Sequence, residues 1–153
     1  MTRALRYHGP EEMIAWAEAV IGCQFRPDAR AIGLTRSGAL IAVVVFDTFG
    51  PMECMVSVAA EQGRAWLNRA FIAAVASYVF LQCAFPRITC TISDNNAASK
   101  RFCEHFGCSL EGRKRGAGPN GEDMLIYGLL RRECAWIPKT LMVPSRQLGQ
   151  GTV

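Results

Sequence analysis

Only two histidines, His8 and His105, occur in the 153 residues, and no Cys-x-x-Cys pair is present. Two isolated imidazoles at helix margins suit surface or capping roles and do not make a catalytic or metal-binding pair. Long apolar runs are also missing. The longest, 39–46 and 70–80, fall short of the ~20 residues that cross a bilayer. The opening MTRALRYHGPEEM has no apolar stretch of signal-peptide length, so the expected setting is cytoplasmic, without a membrane partner. Charge of one sign is scarce: 17 Lys+Arg against 13 Asp+Glu give a net +4. That excess suits an acidic ligand such as a phosphate. It is too small and too dispersed for a nucleic-acid surface, and no recognition motif accompanies it. There is no repeat and no low-complexity segment.

Cysteine is plentiful by contrast: seven, at 23, 54, 83, 90, 103, 108 and 134. An odd count without paired spacing argues against a disulfide framework and for a reducing compartment. Cys103, His105 and Cys108 invite a metal reading, but the first two lie two residues apart on one helix and point to different sides. With no obvious fourth ligand, no metal is expected. Half the residues are apolar and a fifth are charged, which describes one globular domain with a real core.

The pattern predicts a helix over 10–22, with Pro10 at its first position, Glu11 and Glu12 at its positive end and Gly22 as its stop. Strands over 30–35 and 39–46 flank the tight turn Arg36-Ser37-Gly38, and a third strand covers 52–60. A long helix is expected over 64–80, where Leu67, Phe71, Ala74, Val75 and Tyr78 repeat at helical spacing. A strand at 87–92 and a helix at 97–106 ended by Gly107 follow. Two strands at 108–115 and 123–130 close the domain around a Gly-rich hairpin loop. The expected architecture is α/β with a mixed sheet, its two strand–helix units making a parallel pair in the middle. A single domain is expected over 1–137, with a flexible tail over 138–153.

Two strand-to-helix junctions carry the chemistry. At the first, Glu61-Gln62-Gly63-Arg64 leads into the long helix, whose free N–H groups and dipole suit a phosphate. The plain alternative is an ordinary turn with one Gly. At the second, Ser93-Asp94-Asn95-Asn96, either Asp94 or Asn95 caps the following helix. Asn96, Ser99 and Cys103 then recur one turn apart and make a small polar row. Such a row is expected of a helix that lines a slot holding a polar chain.

The string N-x-x-S-x-x-(apolar)-x-E-x-(apolar)-G-x-x-x-E-G stands here as Asn96, Ser99, Phe102, Glu104, Phe106, Gly107, Glu111 and Gly112. It resembles the GNAT superfamily of acetyl-CoA-dependent N-acyltransferases. Within it, the chain is most similar to the branch that acetylates ribosomal-protein N-termini and to short phage- and prophage-borne members. The latter end in a segment like that holding Arg132, Glu133, Cys134 and Trp136. The resemblance implies a GNAT fold, in which the parallel central strands splay, and direct transfer of an acetyl group from acetyl-CoA to an amine acceptor. It implies backbone contacts at Ser57 and Val58 and a phosphate loop of Gln62, Gly63, Arg64, Ala65 and Trp66. It also implies a pantetheine slot along Asn96, Ser99 and Phe102. An oxyanion donor is expected on the central strand near Cys54 to Ser57.

Departures from the family pattern are equally plain. The phosphate loop keeps one Gly, and Cys103 stands where many members place a Tyr general acid. The catalytic expectations are therefore Glu53 as base, with Glu61 second, and Cys103 as acid or as a small packing residue. Arg113, Lys114 and Arg115 are either a solvated hairpin end or an attractor for an acidic group. The rival expectation is a GNAT-fold binding module that docks on a host or partner protein without efficient catalysis. Either would work as a monomer or a homodimer.

Overall fold

The computed structural model describes residues 2–63, 66 and 68–138. In chain order the elements are β1 (Arg3–Arg6), α1 (Pro10–Ile21), β2 (Arg30–Arg36), β3 (Ala39–Asp47), β4 (Met55–Ala60) and α2 (Arg69–Ser77). There follow β5 (Arg87–Ser93), α3 (Ala97–Phe106), β6 (Ser109–Lys114) and β7 (Met124–Leu130). The seven strands form one sheet in the order β1-β2-β3-β4-β5-β7-β6. Every pairing is antiparallel except that of β4 with β5.

Both faces of the sheet are covered, so its central strands read as continuous apolar runs rather than alternating ones. On one face Val56 and Val58 of β4 and Ile88, Cys90 and Ile92 of β5 pack with α2 and α3 in the larger core. On the other, Val43, Val45 and Ala59 meet Met13 and Ala17 of α1. Gly33 permits that contact: a Cβ there would stand 2.6 Å from Met13 Sδ. Gly22 and Gly107 stop their helices in the left-handed region, at φ 78° and 100°. Cys134 and Ile137 are buried in the larger core, and Trp136 Nε1 donates to the Phe106 carbonyl at 3.2 Å.

Four details correct the sequence-based expectation. A short strand, β1, precedes α1 and pairs with β2. The third strand starts at Met55, not at 52, so Glu53 precedes it. The helix expected from 64 begins at Arg69. Trp66 is the reason: its ring is fully buried and stacks on Phe102 at 5.9 Å, while its Nε1 donates to the Gly63 carbonyl at 3.1 Å. With Trp66 drawn inward, Asn68 becomes the cap, its side chain accepting from Phe71 N at 3.1 Å. The same helix ends in one π-turn, Tyr78–Gln82, with a wider hydrogen-bond step. Lastly, α3 is capped by Asn96 rather than by Asp94 or Asn95, its side chain accepting from Ser99 N at 3.0 Å.

Candidate active site

Strands β4 and β5 are registered at a single pair, Met55↔Thr89. Thr89 N donates to the Cys54 carbonyl at 3.3 Å, and beyond that point the strands part. The gap widens into a groove of about 540 Å³. Ser57–Ala60 line one wall and Thr91–Ser93 the other. The C-terminal end of α1, at Val20 to Cys23, lines it from one face of the sheet, and the start of α3, Asn96 to Ser99, from the opposite face. The groove is thus a slot through the sheet, reachable from both sides.

Which main-chain groups look into it follows from strand alternation. Glu61 N donates back to Ile41 of β3, while the Cys54 carbonyl faces β5. Successive residues alternate, so Val58 and Ala60 aim their N–H and C=O groups at the gap. The Val58 carbonyl accepts from Ser99 Oγ at 3.3 Å, and Ser99 is only 2% exposed. Ser99 therefore props α3 against the opened edge of β4. No β5 residue is registered opposite Val58 or Ala60. Ser57 presents its main chain to β3 and its side chain to the α1 face.

On that α1 face stands Glu122 from the β6–β7 connection, among the described residues the one carboxylate that lines the groove. Ser93 Oγ donates to one oxygen at 2.7 Å and Asn120 N to the other at 2.8 Å. The Ser93 bond first, and the Asn120 bond second, hold this carboxyl below the usual range. A Cβ on Gly118 would push the Glu122 carboxylate out of this position. Nothing in the sequence marks Glu122 as special beyond its place after Gly121, which is why it was not anticipated.

Of the anticipated residues, the structure brings Ser57, Val58, Asn96 and Ser99 together at the slot. Glu53 lies elsewhere. Its carboxylate accepts from Thr89 Oγ1 at 2.7 Å and pairs with Arg87 at 3.4 Å, beside the joined end of β4 and β5. Glu61 is held by Arg36 through two bonds of 2.8 and 3.0 Å. Cys103 turns away from the slot into the core, 1% exposed; donation to Cys108, together with burial, raises its thiol. Phe102 and Trp66 form the stacked floor under the loop rather than its surface. Gln62 and Gly63 are exposed on that loop. Arg64 and Ala65 lie outside the described residues. Arg113 is engaged by Asp94 and Asp123 at 3.2 and 2.8 Å. Burial raises the Tyr78 hydroxyl, and its ring packs at a tilt against Phe46, centroids 4.5 Å apart. Neither Tyr78 nor Tyr127 lines the groove.

Solved structures share this fold. The yncA protein of Salmonella typhimurium, solved with its cofactor acetyl-CoA, superposes with a TM-score of 0.68 at 16% identity, covering 88% of this chain and 97% of that one. The chain has the GNAT fold. A variant of spermidine N-acetyltransferase SpeG from Vibrio cholerae matches with a TM-score of 0.69 at 12% identity, over 90% of this chain and 98% of its own. An Escherichia coli N-acetyltransferase of a ribosomal-protein alanine matches with a TM-score of 0.63 at 14% identity, over 84% and 94%. No protein-family model matches the GNAT-fold chain, and neither does any curated protein. Among the described residues, no helix is long and apolar enough to cross a membrane.

Proposed function

We propose that the protein is an acetyl-CoA-dependent N-acetyltransferase that works through the β4–β5 slot. The observation that carries this is the parting of two parallel strands after a single registered pair, which leaves main-chain donors facing an open groove. The pantetheine arm is itself an extended chain with amide groups, so it fits as a substitute strand between β4 and β5. Asn96 and Ser99 set the α3 wall of its slot. The phosphate end falls to Gln62, Gly63 and the loop through Trp66, with Arg64 and Ala65 in the family's phosphate-binding positions.

Acetyl-CoA supplies the activated acyl group as a thioester. The Val58 N–H is the donor we assign to the thioester carbonyl oxygen, where negative charge builds in the transition state. The amine enters from the α1 face, past Glu122. A carboxylate held below its usual range is a good partner for an ammonium ion and a weak base. Glu122 therefore orients the amine, and solvent in the open slot takes the proton. Glu53, the base expected from sequence, is assigned no proton transfer, because Thr89 and Arg87 hold it at the joined end of the strands. Cys103 is likewise assigned none. A thiolate leaves readily enough to need no acid.

The 93–112 motif supports a place near the ribosomal-protein branch and the short phage-borne members. Seven free cysteines support a cytoplasmic setting. The rival, a GNAT-fold binding module, is favoured by one observation: among the described residues, no Tyr or His lines the slot. Release of CoA thiol from acetyl-CoA, followed over a panel of amines and N-terminal peptides, separates the two. Amine-dependent release supports the enzyme. Acetyl-CoA binding with no release from any acceptor supports the module, and no binding at millimolar acetyl-CoA removes both the donor site and the enzyme.

A further inference from the structure

Behind α3, away from the slot, three thiols meet. Cys90 comes from the middle of β5, Cys103 from the last turn of α3, and Cys108 from the residue after the Gly107 stop. Their Sγ atoms all lie within 4.8 Å of one another. Cys90 and Cys103 are each 1% exposed, and Cys108 is half-buried. The helix stop makes the meeting possible: the left-handed Gly107 turns the chain back so that Cys108 N donates to the Cys103 carbonyl at 2.9 Å. Sequence spacing hid this, because the third sulfur comes from a strand thirteen residues earlier than Cys103 and His105 points elsewhere, its ring tilted against Trp136 with centroids 5.3 Å apart.

We propose that Cys90, Cys103 and Cys108 form a binding site for a single thiophilic d¹⁰ cation. Three sulfurs around a tetrahedral ion at ~2.3 Å stand roughly 3.8 Å apart, so closing the triangle asks for ~1 Å per edge at most. Among the described residues, no fourth His, Cys, Asp or Glu joins the group. That composition fits Cu(I), which accepts three soft ligands, or Zn(II) with a water entering on the half-exposed Cys108 side. The surroundings favour a cation over a free reactive thiolate. Glu111 and Glu133 oppose negative charge on Cys108, and Glu104 opposes it on Cys103. Binding breaks S–H bonds, forms metal–sulfur bonds and releases the protons to solvent, with no change of oxidation state. It ties β5, the end of α3 and the start of β6 together.

The test uses the whole reduced protein, stripped with a chelator. Cd²⁺ is titrated as a spectroscopic probe, Zn²⁺ and chelate-buffered Cu(I) in separate arms. The expected result is one Cd²⁺ per chain with a sulfur-to-metal charge-transfer band, and a metal-dependent loss of thiol-reagent reactivity at Cys108, the partly exposed member of the three. A free ion concentration 100 times Kd favours the folded state by about 100-fold, read as a rise in Tm. The Zn²⁺ and Cu(I) arms show which ion displaces cadmium. Cys108→Ser, at the half-exposed corner, and Cys103→Ser abolish the band; Cys23→Ser and Cys134→Ser keep it. No band, a band that survives Cys108→Ser, or a Cys108 that reacts equally fast with and without Cd²⁺ overturns the proposal. So does a mass two hydrogens lighter with a Cys103–Cys108 bridge, which makes the cluster a redox pair instead.

Discussion

Ser99→Ala removes one oxygen from the joint between α3 and β4. In the folded protein Ser99 Oγ donates to the Val58 carbonyl at 3.3 Å, and Ser99 is 2% exposed. Water does not reach the joint easily, so the variant leaves a buried carbonyl without its donor. That loss costs about 1–3 kcal/mol. For a chain of this size each kcal/mol lowers Tm by about 2–4 °C, so a fall of roughly 2–12 °C is expected in thermal denaturation. The second consequence concerns the slot. Ser99 fixes how far α3 stands from the free edge of β4, so the same variant weakens acetyl-CoA binding, measured by calorimetry well below its Tm. An unchanged Tm would show that the Val58 carbonyl is satisfied by something else. An unchanged affinity with a lowered Tm would show that the prop supports the fold but not the slot.

Asn96→Ala strips the α3 cap and costs about 1 kcal/mol in denaturant unfolding, with a further loss of acetyl-CoA affinity; together with Ser99→Ala the affinity falls at least ~10-fold. Glu122→Gln removes a charge-assisted contact of about 1.5–3 kcal/mol, so KM for the amine rises ~10- to 100-fold with little change in acetyl-CoA affinity. Phe102→Ala opens a cavity under Trp66 and costs about 3–5 kcal/mol by urea unfolding. The carboxyls of Asp94, Glu122 and Asp123 are all held below their usual range, chiefly by Lys100 and Arg113, by Ser93, and by Gly116 N and Arg113 respectively. Groups with depressed folded values stabilise above their unfolded pKa and lose that support as pH falls through the folded value. The protection of the Gly116 and Asn120 amides, taken relative to their intrinsic exchange rates, is therefore expected to be highest at neutral pH and to fall below about pH 4.

The order of elements was legible because apolar periodicity and the two helix-ending glycines, Gly22 and Gly107, act locally. The helix over 97–106 and the strand ending at Ser93 were readable for that reason. β1 was not: Arg3–Arg6 is four residues with three of them polar or small, and only pairing with β2 makes it a strand. The late start of α2 was hidden too. Trp66 fits a helical repeat, yet burial against Phe102 outweighs any gain from one more helical turn. The groove was half legible. Asn96 and Ser99 could be placed side by side because they share a helix face, and both line the groove. Glu53 was misplaced because the strand was extended three residues too far. Glu122 and the meeting of Cys90 with Cys103 and Cys108 depend on which strands become neighbours, which no local pattern carries.

The central claim is that the slot between β4 and β5 holds the acyl donor along the free edge of β4. Backbone amide NMR of the labelled protein during an acetyl-CoA titration tests it most directly. The account predicts saturable shifts at Val58 and Ala60, at the start of α3 from Ala97 to Ser99, and at Thr91 to Ser93, with little change at Glu53 or Cys103. Shifts absent at millimolar acetyl-CoA, or concentrated around Glu53 and Arg87 instead, would contradict it.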